Sequence, residues 1–446
     1  MAEHPGPTGD ATADSTEGRA RSDSSTGTAN PQSGVRLSAI RDFRLLWISG
    51  LLASLGSQMS TIALPLLVLH RTGSPVEAGA VGSVSIGAVL IAMLPGGALA
   101  DTVERRRLMR ICNLGSTLVV GTLAVCVFLG RTPMPLVLPV AAVGAVINTL
   151  YGPAALGLLR AVVPSELLGR ATSRLQARGA AARLVGPIAG GALYALHPAL
   201  PFAAEAVGLL LSTSCLALVR TRSAPSRGAR SAFSGKEFVA GVSFIWDRPY
   251  LRTVLLVFGL GLNAAFSAMI FVALVMVSHG GSSGIGGGTI VSLIAVGSLT
   301  GSLLAAKVPA GMRPGTLIAA TCWACTGTAL LLPISQSPLY VGALCALTIA
   351  IASTGSVGFA TSVLVAAPEH LVGRVQSAAG FVSSFIQPIG PLAGGALLTA
   401  WGADTAYLVL AVAFLLCAAL VSWAPSVRSE PAPLTAGAPG EALAAT

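Results

Sequence analysis

Charge is what this sequence has least of. Only 10% of its residues are Asp, Glu, Lys or Arg, against about a quarter in a soluble domain. With 53% of the chain hydrophobic, there are too few polar side chains to keep a large surface in water. The expectation is an integral membrane protein, with lipid around its apolar faces. Lysine is nearly absent, since Lys236 and Lys307 stand against 25 Arg. A phosphate-binding loop needs G-x-x-x-x-G-K-[ST], and neither Lys has that setting, which excludes ATP hydrolysis by that route. The five His are dispersed over a tail and loops, so no acid, His or Ser–His set gathers at one depth as a membrane enzyme or a metal site would need. Cys322 and Cys325 form a C-x-x-C, but inside an apolar run and without a second pair. They read as small packing residues.

What is present is apolar length. Residues 1–40 form a tail of Ser, Thr, Gly, Ala and scattered charge, expected to be disordered. It has no basic start followed by an apolar core, so it is not a signal peptide. Twelve apolar runs follow, over roughly 45–69, 78–100, 108–129, 135–159, 175–196, 201–219, 253–277, 287–306, 315–333, 338–362, 376–399 and 405–424. Each is near the length that crosses a ~30 Å hydrocarbon core. An even number of crossings puts both termini on one side. With that side inside, Arg71 and Arg131 are the only basic residues among the 27 Lys and Arg that face out. The positive-inside rule therefore makes both termini cytoplasmic. The net charge of +10 is then topology and not a nucleic-acid surface. The expected division is a first six-helix half over 41–219, a basic cytoplasmic linker over 220–252, a second half over 253–424 and a cytoplasmic tail over 425–446.

The halves are related. "PSELLGR" at Pro164–Arg170 recurs as "PEHLVGR" at Pro368–Arg374, and "GPIAGGAL" at Gly186–Leu193 recurs as "GPLAGGAL" at Gly390–Leu397. Both offsets are 204 residues. A parallel six-span repeat is the architecture of a transporter that rocks two halves about a midplane site. The one dense cluster of charge is "GALADTVERRRLMR" at Gly97–Arg110, between the second and third runs.

With twelve spans, a 6+6 repeat and that cluster, the chain resembles the major facilitator superfamily, and within it the bacterial drug/proton antiporter type. The family signature between spans two and three, G-x-x-x-D-[RK]-x-G-[RK]-[RK], is matched at Gly97, Asp101, Arg105 and Arg106. Thr102 and Glu104 depart from it. An acid at a helix C-terminus is unfavourable by ~0.3–1 kcal/mol and needs a positive partner. The resemblance implies that Asp101, Arg105 and Arg106 lock the halves together at the cytoplasmic side, near the span that begins at Arg374. Gly169, Arg170, Gly373 and Arg374 belong to the repeated loops of the same gate. Gly186, Pro187, Gly190 and Gly191 resemble the span-five antiporter signature, a close-packed seam that Pro can bend.

Ionisable groups within spans are functional candidates. Glu205, in span six, can bind a proton or a cationic substrate, or serve a helix contact near the interface. Arg183, in span five, can attract an anion or snorkel, and bracing of the halves is the favoured reading. Glu77 is set aside, because "SPVE" at Ser74–Glu77 is a capping box that starts span two. Related antiporters carry an acid near Gly56, where this chain has Ser57 and Gln58. With Asn148 and Tyr151 in span four and Asn263 in span seven, the resemblance implies a largely uncharged cavity for a bulky, weakly polar compound. The implied function is secondary transport at the bacterial plasma membrane, exporting a hydrophobic drug-like compound or secondary metabolite as a monomer. A proton gradient stands in for any cofactor. Uptake by the same fold, or a non-transporting sensor or assembly protein on the scaffold, are the alternatives.

Overall fold

The computed structural model describes residues 37–102, 104–131, 134–221, 235–279, 284–305, 307, 313–367 and 371–428. Most of the expected tails over 1–40 and 425–446, and 222–234 of the linker, lie outside the described residues. From Leu37 onward the chain forms one unit, and among the described residues it is entirely helical.

Helices α1 (Arg41–Thr72), α2 (Pro75–Thr102), α3 (Arg105–Phe128), α4 (Met134–Val162), α5 (Leu168–Leu196) and α6 (Leu200–Leu218) make a first group. Their boundaries follow local chemistry. Gly73, at φ 66°, ends α1, a left-handed position that suits glycine. The backbone N–H of Glu77 donates to Ser74 Oγ at 3.3 Å, with Pro75 opening α2. Asp42 Oδ2 accepts from Arg220 N (3.1 Å), Thr221 N (2.8 Å) and Thr221 Oγ1 (2.6 Å). It ties the chain leaving α6 to the start of α1.

The second group holds α8 (Pro249–Val254), a π-helical stretch (Leu255–Leu262), α9 (Asn263–His279), α10 (Gly284–Ala305), α11 (Pro314–Leu331), α12 (Pro338–Ala366), α13 (Val372–Phe385), α14 (Ile389–Trp423) and the short α15 (Pro425–Arg428). The α8–α9 segment reads as one apolar helix. In all, eleven helices or helix pairs are long and apolar enough to cross a membrane. The last, Val375–Trp423, has 49 residues, about 73 Å at 1.5 Å per residue. It is interrupted at Gly402, where φ 75° and ψ −176° leave the helical region. The sequence analysis left the gap between 399 and 405 as a loop. Within the expected linker the structure adds a 12-residue helix, α7 (Gly235–Trp246). Its Ile245 packs with Leu251, Val375 and Ala378.

Helix backbones meet where side chains are small. Helices α1 and α6 run antiparallel, with Ser49 on Ser212, Leu52 on Gly208 and Gly56 on Glu205. Helices α1 and α5 run parallel. Trp47 Nε1 donates to Arg174 O at 3.3 Å, while Gly186 and Gly190 lie against Gln58 and Met59. The same motif reaches across to the second group, where Gly288 of α10 abuts the Pro187 carbonyl and Ser292 Oγ donates to Leu184 O at 2.7 Å. The repeat does likewise. Gly390 and Gly394 lie on Ser267 and Ala268 of α9, while Pro391 meets Gly79 of α2 and Gly395 meets Pro75.

These cross-group contacts sit toward one end of the molecule. The opposite end carries the Arg-rich helix termini, Arg41, Arg105–Arg107, Arg220 and Arg248 among them, and is called here the basic end. At the far end one apolar core runs through both groups, joining Ile62, Leu66 and Val81 to Leu274, Val277 and Ile290. At the basic end there are two cores. One holds Leu46, Met109, Leu158 and Leu216 of the first group, the other Leu251, Val363 and Val375 of the second.

A Cβ at Gly190 would come 2.7 Å from Met59 Cα. Gly190→Val is therefore expected to destabilise the purified protein by ~1–3 kcal/mol through overpacking, read as a lower melting temperature. Gly327, in α11, has nothing within 4 Å of such a Cβ. Gly327→Ala is expected to leave the melting temperature unchanged or raise it, by up to ~1 kcal/mol of helix preference.

Candidate functional site: a two-lobed cavity

Between the shared core of the far end and the divided cores of the basic end lie two cavities. The first, of about 670 Å³, is lined mainly by α1, α2, α3, α4 and α6, with Ser267, Ile270, Phe271 and Leu274 of α9. The second, of about 530 Å³, belongs to the π-helical stretch, α9, α12 and α13. Ser267 and Ile270 line both, so the two are lobes on either side of α9.

Gln58, Asn148 and Glu205 come together in the first lobe. Asn148 Nδ2 donates to Ser57 Oγ at 2.5 Å. Glu205 is 8% exposed. Its stem rests on Gly56, whose Cβ position would lie 3.1 Å from the Glu205 Cβ and Cγ. Ser60 stands beside the carboxyl, yet neither Ser60 Oγ nor Glu205 Oε2, both buried, has a hydrogen-bond partner. No Lys, Arg, His or Asp lines this lobe. A buried carboxyl without a cation is costly, and it takes a proton or a cationic group when one is offered. Gly56 sits about halfway along α1, so span six brings its acid to the place where the family resemblance expects one on span one.

The other candidates lie elsewhere. Asn263 lines the second lobe, where its Nδ2 donates to Gly259 O at 2.8 Å and its Oδ1 accepts from Gln387 Nε2 at 3.3 Å. Arg183 is exposed and lines neither lobe. Arg105 Nη1 donates to Gly157 O of α4 at 3.3 Å, and Arg106 Nη1 donates to Val219 O just beyond α6. Both thus fasten α3 to helices of their own group. Gly97 and Asp101 fall in the last turns of α2, and Gly373 and Arg374 in the first turn of α13. The side chains of these four lie outside the described residues. Gly169 and Arg170 are exposed in the first turn of α5. Cys322 and Cys325 are buried, free thiols.

Sequence reasoning missed a polar hub beneath the first lobe. Asn113 Nδ2 donates to Ser212 Oγ at 2.8 Å, Ser212 shares a hydrogen bond with Ser49 at 2.8 Å, and Ser49 shares one with Tyr151 at 3.2 Å. Four helices are joined this way. Arg178 of α5 approaches the same region, donating to Trp47 O at 3.2 Å, within electrostatic reach of Tyr151. A signal for it exists. Arg178, Ala182, Gly186 and Gly190 recur every four residues, which puts the Arg on the glycine face of α5 that packs on α1. Ser212→Ala would leave the Asn113 amide, 2% exposed, without its partner. The expected loss is ~1–3 kcal/mol, read by thermal unfolding of the purified protein. Ser214→Ala, at an exposed serine bonded to its own helix, is expected to stay within ~0.5 kcal/mol of wild type.

Comparison with known proteins agrees with this architecture. The sequence pattern of the Major Facilitator Superfamily matches residues 46–391. The multidrug efflux pump Tap of Mycolicibacterium fortuitum is 26% identical over 398 residues, covering 86% of this chain and 96% of that protein. Tap of Mycobacterium tuberculosis H37Rv is 26% identical over 392 residues, 85% of this chain and 92% of the relative. Among solved structures, the nucleoside transporter NupG aligns with a TM-score of 0.67 at 12% identity, covering 86% of this chain and 99% of that one. A bacterial homologue of the human lysosomal transporter Spinster, in an inward-facing and occupied conformation, aligns with a TM-score of 0.65 at 15% identity, covering 89% and 98%. At such identities the structural likeness speaks for the fold. With the family pattern spanning more than half of its length, the chain belongs to the Major Facilitator Superfamily and is a multi-pass membrane transporter, not an enzyme.

Proposed function

We propose that this transporter exports hydrophobic, drug-like compounds by proton antiport, working as a monomer without ATP in a bacterial plasma membrane. The observation that carries the reading is Glu205, a buried carboxyl with an unbonded Oε2 in a cavity lobe that holds no other charge. One carboxyl can hold a proton or a cationic group but not both, which is the elementary requirement for exchanging one against the other. The efflux relatives, 26% identical over most of the chain, support export over uptake.

In this reading Val375–Trp423 crosses twice, turning at Gly402, because 49 residues are too many for one ~30 Å crossing. That makes twelve crossings with both termini cytoplasmic and the basic end inside. Residues 41–219 and 253–424 then move as two bodies about the lobed cavity. One core at the far end and two at the basic end correspond to a cavity open to the cytoplasm. When it opens outward, Asp101 with Arg105 and Arg106 closes the basic end against the start of α13, near Arg374. The repeated glycine–proline seams, including Gly186, Pro187, Gly190 and Gly191, are where the far end parts.

Everted membrane vesicles test this. With an imposed proton gradient, wild type is expected to accumulate lipophilic dyes and antibiotics, and Glu205→Gln to lose at least tenfold in gradient-driven rate while keeping its melting temperature. Asp101→Asn is expected to lose transport as well. Wild type inert over a broad panel, or Glu205→Gln coupled as well as wild type, would contradict the proposal.

A further inference from the structure

The second lobe differs from the first in one respect that matters for ligands: no charged side chain lines it. Three features gather there instead. The helix before α9 widens into a π-helix over Leu255–Leu262, a distortion that concentrates at functional sites. Across from it α13 ends at Phe385 and α14 begins at Ile389, so the span is discontinuous at Gln387. Between these breaks, Gln387 Nε2 donates to Asn263 Oδ1 at 3.3 Å, and Ser267 Oγ donates to Gln387 O at 3.1 Å. The third feature is an unmet hydroxyl. Ser383 is 9% exposed, its Oγ is buried, and it has no hydrogen-bond partner.

Irregular backbone at membrane depth is tolerated where it lines a cavity or packs in protein, and here it lines a cavity. Phe258 and Phe359 stack at 5.6 Å, 19° from parallel, and both line the lobe. The lobe's ~530 Å³ falls within the range of drug-sized pockets. A charged ligand would lose its water here without a counter-charge, which is costly. A neutral aromatic molecule bearing hydroxyl or amide groups would not.

We propose that this lobe is a second ligand site, separate from Glu205, that takes neutral, oxygen-bearing aromatic compounds through Gln387 and Ser383. The proposal deepens the export reading and rests on it: the transporter accepts cations in one lobe and neutral hydrogen-bonding molecules in the other.

The test uses the full-length protein in lipid nanodiscs and two neutral probes, chloramphenicol and podophyllotoxin. Tetraphenylphosphonium, a cation with no hydrogen-bonding group, reports on the first lobe. Equilibrium binding is measured for wild type, Gln387→Ala, Ser383→Ala and Glu205→Gln. The neutral probes are expected to weaken about fivefold to tenfold in Gln387→Ala and Ser383→Ala, as for one lost hydrogen bond, and to be unchanged in Glu205→Gln. Tetraphenylphosphonium is expected to show the reverse, and its retention certifies that the serine and glutamine variants are folded. The second site is overturned if neither neutral probe binds wild type up to millimolar concentration. It is also overturned if their binding ignores Gln387 and Ser383, or follows Glu205. Gradient-driven tetraphenylphosphonium transport in the same preparation keeps the outcomes apart. If it persists, only the second site has failed; if wild type lacks it, the export reading has failed.

Discussion

Close approach of helix backbones is the constraint on which this structure depends. In lipid, apolar side chains gain nothing by leaving solvent for one another, so helices hold together through packing and hydrogen bonds. The chain meets this with two copies of one short stretch. In Gly186–Gly191 the glycines lie on α1 while Pro187 meets Gly288 of α10, and in Gly390–Gly395 the glycines lie on α9 and α2 while Pro391 meets Gly79. Each copy therefore binds its own group and the opposite one at once. The cavity lobes, the shared far-end core and the divided basic end all follow from where these two seams sit.

Polar groups are few in such a chain, and each has an assignable job. Asp42 receives three hydrogen bonds from Arg220 and Thr221 and fixes where the linker departs. Arg105 and Arg106 bind carbonyls at Gly157 and Val219, holding three helices of the first group at the basic end. The Ser49–Ser212–Asn113–Tyr151 hub joins four helices below the first lobe and keeps that group rigid around Glu205. The contrast is with Glu205 Oε2 and Ser383 Oγ, which are buried and unbonded. Buried polar atoms are nearly always satisfied, so two orphans, one in each lobe of one cavity, mark the places where a bound molecule would complete the structure.

Much of the architecture was legible in the sequence. Apolar length located the spans, the 204-residue repeat located the paired seams, and the gap before Asp404 anticipated the break at Gly402. Ser74 was recognisable as a cap from Pro75 and Glu77. What the sequence hid was register between distant helices. Ser49 and Ser212 are 163 positions apart, and nothing local says that they meet. Glu205 was visible as a charge in an apolar run, but not that it would lie against Gly56 of span one. Arg178 looked like one more residue obeying the positive-inside rule, although its four-residue spacing from Gly186 placed it on the packed face. Gln387 was invisible because the π-helix and the break beside it arise from packing of α9, α12 and α13 together. Helix α7 was read as linker because basic and small residues precede it.

The central claim is that the cavity around Glu205 is closed at the far end by the two seams and open at the basic, cytoplasmic end. Labelling of a single cysteine tests it most directly. Ala145 lines the first lobe and is small enough to exchange for Cys in a variant whose seven native cysteines are replaced. A membrane-impermeant maleimide would be added to everted vesicles, which present the cytoplasmic face, and to intact spheroplasts, which present the outer face. The account predicts rapid labelling in everted vesicles and little in resting spheroplasts. Rapid labelling from the outer face with none from the cytoplasmic face would contradict it.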